Sequence, residues 1–132
     1  MPSAYDVQGT VFRNGTAILM ARVVNSAGVA VTPATIVAVE YTVYELTPDD
    51  PSGLVAVTGH DGVSLTVGDV FFATLQNDET WTADSEGYNF RHEIDVSSAE
   101  AFPKAGTQYQ VRYEFTPTSG QKTIVRFQLR VI

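Results

Sequence analysis

Apolar and polar residues alternate most regularly within residues 102–131, which read FPKAGTQYQVRYEFTPTSGQKTIVRFQLRV. Two runs, residues 109–116 and 123–131, place apolar residues at every second position, with Ile124 as the exception. Because successive side chains of a β-strand point to opposite faces, each run predicts a strand with one buried face. The turn-forming residues 116–121 between the runs predict a β-hairpin. The predicted buried rows are Tyr109, Val111, Tyr113 and Phe115, and Val125, Phe127, Leu129 and Val131.

Further strands are predicted along the rest of the chain. Residues 5–12, 36–46 and 88–94 are strand candidates, and residues 36–46 place Val37, Val39, Tyr41 and Val43 on one face. The short candidates 54–57 and 63–67 flank residues 59–62 (GHDG), which we interpret as a hairpin turn. Residues 16–24 (TAILMARVV) are a further candidate, apolar on both faces, and Asn14-Gly15 is a hairpin signal if the first strand pairs directly with them. About seven or eight short strands favour a single antiparallel β-sandwich or barrel over residues 1–132.

One segment departs from this alternation. Asp69 could cap a short helix in which Phe71 and Leu75 lie one turn apart on one face. The same apolar run could also form a buried strand. Of the two, the low content of β-branched residues favours a short helical turn near residues 69–76.

The approach to residue 109 suggests which kind of sandwich this is. Residues 102–111 (FPKAGTQYQV) resemble the corner before strand F of fibronectin type III and immunoglobulin-like domains, where Pro precedes a Gly-Thr-x-Tyr-x-Val run. In that corner the Tyr ring is buried and its hydroxyl bonds back to the backbone a few residues upstream. Tyr109 is the candidate corner tyrosine. The resemblance implies an Ig-like sandwich, although an unrelated sandwich with the same short run is the alternative.

Composition excludes several classes of partner. The 132 residues include 8 Lys and Arg against 15 Asp and Glu, a net charge of −7 that opposes binding to phosphate backbones. We therefore predict no nucleic-acid partner. Residues 1–20 lack the pattern of a secretion signal, and no apolar run is long enough to predict a membrane span.

The sequence offers few groups for catalysis. It has no Cys, and it contains neither a G-x-S-x-G nor a G-x-x-x-x-G-K-[ST] motif. His60 and His92 are its only histidines, and we interpret them as a turn residue and a partly buried strand residue. Two histidines and a carboxylate could still bind a metal if the fold brought them together. We predict no catalytic residue, no cofactor and no metal site, and a protein that is not an enzyme.

Charge is distributed unevenly along the chain. Residues 1–90 contain 2 basic and 11 acidic residues, a net of −9, and residues 91–132 contain 6 basic and 4 acidic residues, a net of +2. This polarity suits head-to-tail contacts between copies or docking on a charged partner, although acidic loops also serve solubility. The acids Asp49, Asp50, Asp78, Glu79, Asp84 and Glu86 leave open a calcium-dependent adhesion module, without the EF-hand spacing. Stacking of sugars on Trp81 leaves open a glycan-binding module.

A wider resemblance concerns residues 81–131. The runs WTADSEGYNFRH at 81–92 and GTQYQVRYEFTPTSG at 106–120, followed by VRFQL at 125–129, look like small Ig-like proteins of phage and prophage structural gene clusters. The front half, with NSAGVAVTPAT at 25–35, is similar in outline to the N-terminal sandwich of phage baseplate upper proteins. Val31-Thr32-Pro33 stands where that pattern has Leu-Thr-Gly. The resemblance implies a virion structural role, as capsid decoration, neck or tail accessory, and brings no catalytic residues.

These observations together predict an assembly protein of the virion, formed in the host cytoplasm, with other virion proteins as partners in many copies. Alternation places Tyr88 and Phe90 in the core and points their neighbours outward, where Arg is a favoured interface residue. The last strand, with charged residues on its outer face, either protects a sheet edge or adds to a neighbour's sheet. The predicted interface residues are Asn89, Arg91, Arg112, Arg126 and Arg130.

Overall fold

The structure is a computed structural model that describes residues 4–24, 28–47, 50–77, 85–120 and 122–132. Within these ranges it contains nine β-strands, one 3₁₀ turn at Pro33–Thr35 and one α-helical turn, α1, at Val67–Val70. The strands are β1 (Ala4–Val11), β2 (Ile18–Ala21), β3 (Ile36–Thr47), β4 (Asp50–Ala56), β5 (Val63–Leu65), β6 (Phe71–Gln76), β7 (Tyr88–Glu93), β8 (Gln108–Pro117) and β9 (Thr123–Val131). This part of the chain contains no helix of the length and apolarity that a membrane crossing requires.

The strands form two sheets. The larger sheet has the order β1-β9-β8-β3-β4, with β5 also paired to β3, and the smaller has the order β2-β7-β6. All pairs are antiparallel except β1 with β9, which is parallel. The smaller sheet has the order of strands B, E and D of an immunoglobulin domain, and β3, β8 and β9 take the places of C, F and G. The prediction of an Ig-like β-sandwich is confirmed.

The core lies between the two sheets, and every second residue of the C-terminal hairpin belongs to it. The inward rows of β8 and β9 are at most 4% exposed, and they belong to one cluster with residues of β2, β3 and β7. Phe90 and Phe115 lie 5.3 Å apart between ring centroids, and Phe71 packs edge-on against Phe115 at 4.9 Å. Such aromatic contacts add to the stabilisation from burial itself. The predicted hairpin and its buried faces are confirmed.

The alternation of buried and exposed residues shifts by one position near the start of strand β3. Val39, Tyr41 and Val43 are buried as predicted, but Val37 is 61% exposed and Ile36 is buried instead. The register of β3 with β8 shifts between Ile36 and Ala38, and an irregularity of this kind reverses the faces of the residues on one side of it. The prediction for Val37 was therefore wrong.

The segment around residues 59–62 is not a hairpin turn. β4 pairs with residues 44–47 of β3 and β5 pairs with residues 39–41, so both short strands lie in line along the same edge of β3. Between them, the N–H of Val57 donates to the Val43 carbonyl and the N–H of Val43 donates to the His60 carbonyl, both at 2.8 Å. β3 is 12 residues long and can pair with both strands in succession. Gly59 and Gly62, both with positive φ, form a bulge within one interrupted edge strand.

The prediction of a helical turn near residues 69–76 was wrong in its range. The α-helical turn α1 begins at Val67 and ends at Val70, and residues 71–76 form strand β6. Phe71 packs in the core against Phe90, whereas Phe72 meets the Tyr88 ring at 5.7 Å in an edge arrangement. Two consecutive aromatic residues with separate partners fit the two faces of a strand better than the single apolar stripe of a helix.

The first and last strands lie side by side. β1 pairs with β9 over eight residues, so Asn14-Gly15 turns the chain toward the other sheet and does not close a hairpin. β9 consequently has neighbours on both sides, β1 and β8. The prediction that the last strand is a sheet edge was wrong, because the parallel partner from the front of the chain is not visible in its local pattern.

Candidate interaction surface

The larger sheet presents a broad face away from the core, which we call the outer face. Along three neighbouring strands, every second residue lies on this face and the residues between point into the core. Outer-face residues that are in register on neighbouring strands lie side by side, and we call each such set a row. On β3, β8 and β9 the outer face consists of Glu40, Thr42, Tyr44, Gln110, Arg112, Glu114, Ile124, Arg126 and Gln128.

Arg112 is held flat against this face. Its guanidinium carbon lies 5.1 Å from the centroid of the Tyr44 ring, and its Nη2 donates to the Gln110 Oε1 at 3.0 Å. Gln110 is only 5% exposed although it lies on an outer surface. The Nε of Arg112 is buried without a hydrogen-bond partner in the described structure. Stacking and the amide contact therefore fix the position of the cation while leaving part of its donor capacity unused.

Two arginines stand directly opposite each other. Arg112 of β8 is in register with Arg126 of β9, and Thr42 of β3 is on the other side of Arg112. On the far side of Arg126 the register places Asp6 of β1. Like charges directly opposite in neighbouring strands are destabilising, so this row concentrates positive charge at Arg112 at some cost to stability. No ion pair among the described residues involves Arg112.

The next row along the strands carries the opposite charge. Glu40 of β3 is in register with Glu114 of β8, and neither forms an ion pair within the described part of the chain. Both line a depression of about 110 Å³ whose rim includes Ser64, Thr116 and Lys122. A row of two carboxylates thus lies beside a row of two guanidinium groups on one face.

The structure brings together only some of the predicted interface residues. Arg112 and Arg126 share the outer face, and Arg130, which is exposed, lies on the same face two outward positions beyond Arg126. Arg91 lies on β7 of the smaller sheet, half-buried and in register with Met20. Alternation along single strands identified the outward residues of β8 and β9, but not the rows, because a row depends on the register between distant strands.

The prediction that Asn89 points outward was wrong. Its side chain is 1% exposed, and its Oδ1 accepts a hydrogen bond from the Val23 N–H at 2.7 Å. Its Nδ2 donates to the carbonyls of Val23 at 2.9 Å and of Val31 at 2.8 Å. The side-chain amide takes the place of a backbone group in linking β7 to the segment after β2. A residue buried in this way offers no surface to a partner.

Tyr109 has the corner geometry. It is fully buried, and the backbone N–H of Lys104 donates to its hydroxyl oxygen at 3.1 Å, five residues upstream. Its ring meets Phe102 edge-on at 5.5 Å. The Lys104 ammonium forms an ion pair with Glu45 of β3 at 3.0 Å, which ties the corner to the sheet. Burial, the largest influence, raises the pKa of Tyr109, so its hydroxyl stays protonated at neutral pH.

A second polar cluster lies inside the sandwich. We call Tyr41, His60, His92 and Tyr113 the His–Tyr cluster. The Ala99 carbonyl can only accept, so His60 Nε2 donates to it at 2.8 Å, and His60 Nδ1 is hydrogen-bonded to the Tyr41 hydroxyl at 2.7 Å. His92 Nδ1 and the Tyr113 hydroxyl are also 2.7 Å apart. His60, interpreted from sequence as a turn residue, is 2% exposed because the bulge between β4 and β5 turns its ring inward.

Burial keeps Tyr41, His92 and Tyr113 of the His–Tyr cluster uncharged at neutral pH. Burial, and secondly the nearby His60, lower the pKa of His92 to about 4. Burial raises the pKa of Tyr41, and it raises that of Tyr113 well above the usual value. The four rings form a hydrogen-bonded network that satisfies buried polar atoms, a role that is sufficient to explain its presence.

The calcium and glycan hypotheses rest mainly on residues that the structure does not describe. Asp49, Asp78, Glu79, Asp84 and Trp81 lie outside the described residues. Among the residues that it does describe, no three His, Asp or Glu side chains are grouped as metal ligands would be. Both hypotheses stay predictions.

Comparison of the chain with protein-family models, with curated proteins and with solved structures finds no match. The resemblance of residues 81–131 to phage structural proteins therefore stays a prediction.

Proposed function

We propose that this protein is a non-enzymatic structural component of a phage particle, acting through protein–protein contacts made in many copies. The observation that carries the proposal is the outer face, where Tyr44, Arg112 and Gln110 form a preorganised polar and aromatic surface. Tyr and Arg are enriched at the centres of protein interfaces. The proposal covers capsid decoration, a neck position and a tail position, each of which is held by contacts with other virion proteins.

Two other features support this function. The Ig-like sandwich is a scaffold that many proteins use for recognition, although fold alone does not assign function. The sequence resemblance at 81–131 supplies the virion context. The buried histidines are engaged in the His–Tyr cluster, where their pairing with tyrosines and a carbonyl accounts for them without a reaction.

The test is the composition of the particle. Particles from a culture that carries the gene are purified through a density gradient, and peptides of this chain are quantified by mass spectrometry in every fraction. We expect the chain to follow the major capsid protein at a constant ratio across the particle peak. An abundant host protein serves as the control for carry-over. A chain that is absent from the peak, or that follows the host protein, would overturn the proposal.

A further inference from the structure

The outer face is complementary in charge to itself. The row of Glu40 and Glu114 lies beside the row of Arg112 and Arg126, and the two rows are two residues apart along β8. At about 3.4 Å per residue, this separates the rows by about 7 Å. Each row pairs like charges across strands, and an opposite charge placed over Glu114 or Arg112 offsets part of that repulsion.

We propose that a second copy of this chain docks face to face on the outer face, as a two-fold symmetric dimer. A two-fold axis that runs across the strands between the rows places Glu114 of each copy over Arg112 of the other. The contact is isologous, since the same patch serves on both sides. This inference deepens the proposed assembly function by naming the partner at that same surface.

The charge pattern favours a second copy over other occupants. An acidic partner would pair with Arg112 but repel the glutamate row, and a basic partner would do the reverse. A copy rotated about the two-fold axis places Glu114 over Arg112 at two symmetric contacts, so both signs of charge find a partner on the same face. Like charges brought together across an interface cost several kcal/mol, which is why the arrangement discriminates between these occupants.

The surroundings of the two rows suit a contact of this kind. Tyr44 lies under the Arg112 guanidinium, and Ile124 stands beside Glu114 in register. The depression lined by Glu40, Glu114 and Lys122 offers a concave site for the guanidinium of the second copy. Because Arg112 is already held by Tyr44 and Gln110, little side-chain freedom is lost when the copies meet.

The experiment compares two charge-reversal variants, each alone and both mixed, with the wild type by sedimentation equilibrium. We expect the wild-type protein to be a concentration-dependent dimer. Both Glu114→Arg and Arg112→Glu place like charges over each other in a homodimer, so each is expected to raise the dimer Kd at least about tenfold. An equimolar mixture of the two variants restores opposite charges at both contacts. We expect that mixture to dimerise within about threefold of wild type.

Controls separate the interface from the fold. Glu93→Arg makes the same charge change at an exposed position on β7 of the smaller sheet and should leave the dimer Kd unchanged. Circular dichroism of each variant checks folding, and Arg112→Gln provides a neutral variant if a reversal disrupts the sheet. A monomeric wild type, or a dimer that neither reversal weakens, would overturn the inference. A monomeric protein that is still found in purified particles would overturn this dimer and leave the proposed function standing.

Discussion

The hydroxyl of Tyr109 is a single polar atom that fixes the corner before β8. Tyr109→Phe keeps the ring and its contact with Phe102 but leaves the Lys104 N–H without its acceptor. We expect a loss of about 1–2 kcal/mol in the free energy of unfolding, measured by urea denaturation. Tyr44→Phe is the matched control on an outer position and should change stability by less than about 0.5 kcal/mol. Equal effects for the two variants would contradict this account of the corner.

His92 makes stability depend on pH. Its pKa is about 4 in the folded protein and near 6.5 when unfolded, so the unfolded chain binds more protons between these values. The stability contributed by neutral His92 is fully present above about pH 6.5 and is lost as pH falls through 4. We expect urea denaturation to show about 2 kcal/mol less stability at pH 4 than at pH 7, a figure that allows for partial solvent access.

The variant His92→Gln separates this effect from general acid sensitivity. The amide retains a hydrogen-bonding group near the Tyr113 hydroxyl but does not titrate in this range. We expect lower stability at pH 7 and a smaller change in stability between pH 7 and pH 4. If the variant kept the full pH dependence of the wild type, the effect would not originate at His92.

Asn89 shows the limit of alternation at single residues. A polar residue between Tyr88 and Phe90 is predicted to face solvent, since period 2 separates apolar from polar side chains. Its partners, Val23 and Val31, lie 66 and 58 residues away, so nothing in the local sequence indicates that its amide is already paired. The same alternation correctly predicted that Tyr113 and Phe127 are buried, because these residues pack against the apolar rows of neighbouring strands.

At the scale of elements, Asn89 joins β7 to the segment that follows β2. Asn89→Ala leaves the Val23 N–H and the Val31 carbonyl without this partner. We expect a loss of about 3 kcal/mol and faster hydrogen exchange at the Val23 amide. Asn77→Ala, which removes an exposed bond to the Ser85 carbonyl, is the control and should cost about 0.5 kcal/mol. Unchanged exchange at Val23 would contradict the role assigned to Asn89.

Gly87 controls the pairing of β6 with β7. It has φ +106°, and a Cβ at this position would lie against the Gln76 carbonyl, 2.8 Å from its carbon. We expect Gly87→Ala to destabilise the protein by about 4 kcal/mol in urea denaturation, from the backbone conformation and the steric clash together. Gly106→Ala, with φ +79° and open space, should cost only about 1 kcal/mol. Similar losses for both would show that contact with Gln76 is unimportant.

The strands themselves were easier to predict than their arrangement. The hairpin of β8 and β9 lies within residues 108–131, so a single stretch of sequence contains both its alternating residues and its turn residues. The bulge at Gly59–Gly62 carries the same turn signals as a hairpin, but the length of β3 places β4 and β5 in line. Likewise the parallel partner of β9 comes from the other end of the chain. Local patterns specify an element, whereas remote partners determine which elements are neighbours.

At the scale of the whole molecule, the acidic and the more basic parts of the sequence do not fold into two separate charged regions. β3 belongs to the acidic part of the chain and β8 to the more basic part, yet they are adjacent strands. Glu40 therefore stands opposite Glu114, and both lie beside Arg112. The predicted polarity along the chain becomes, on the outer face, a close alternation of rows with opposite charge.

Dimerisation through this face would couple stability to concentration. Since the dimer is favoured by mass action, a hundredfold increase in protein concentration should raise the melting temperature of the wild type by about 5 °C. Glu114→Arg, whose dimer is weaker, should show a smaller shift over the same concentration range. Differential scanning calorimetry measures both, and 1 M salt should reduce the wild-type shift because it screens the ion pairs. A wild-type midpoint independent of concentration would contradict the coupling.

The interrupted edge strand has a consequence for the protein at high local density. An exposed sheet edge with an unbroken row of free N–H and carbonyl groups is a template for fibril growth. Here Val57 and His60 both bond to Val43, and the glycine bulge between β4 and β5 breaks the regular spacing of that edge. A neighbouring strand cannot add along its full length. Crowded copies are thus guarded against amyloid-like addition at this edge while their outer faces stay available for ordered contact.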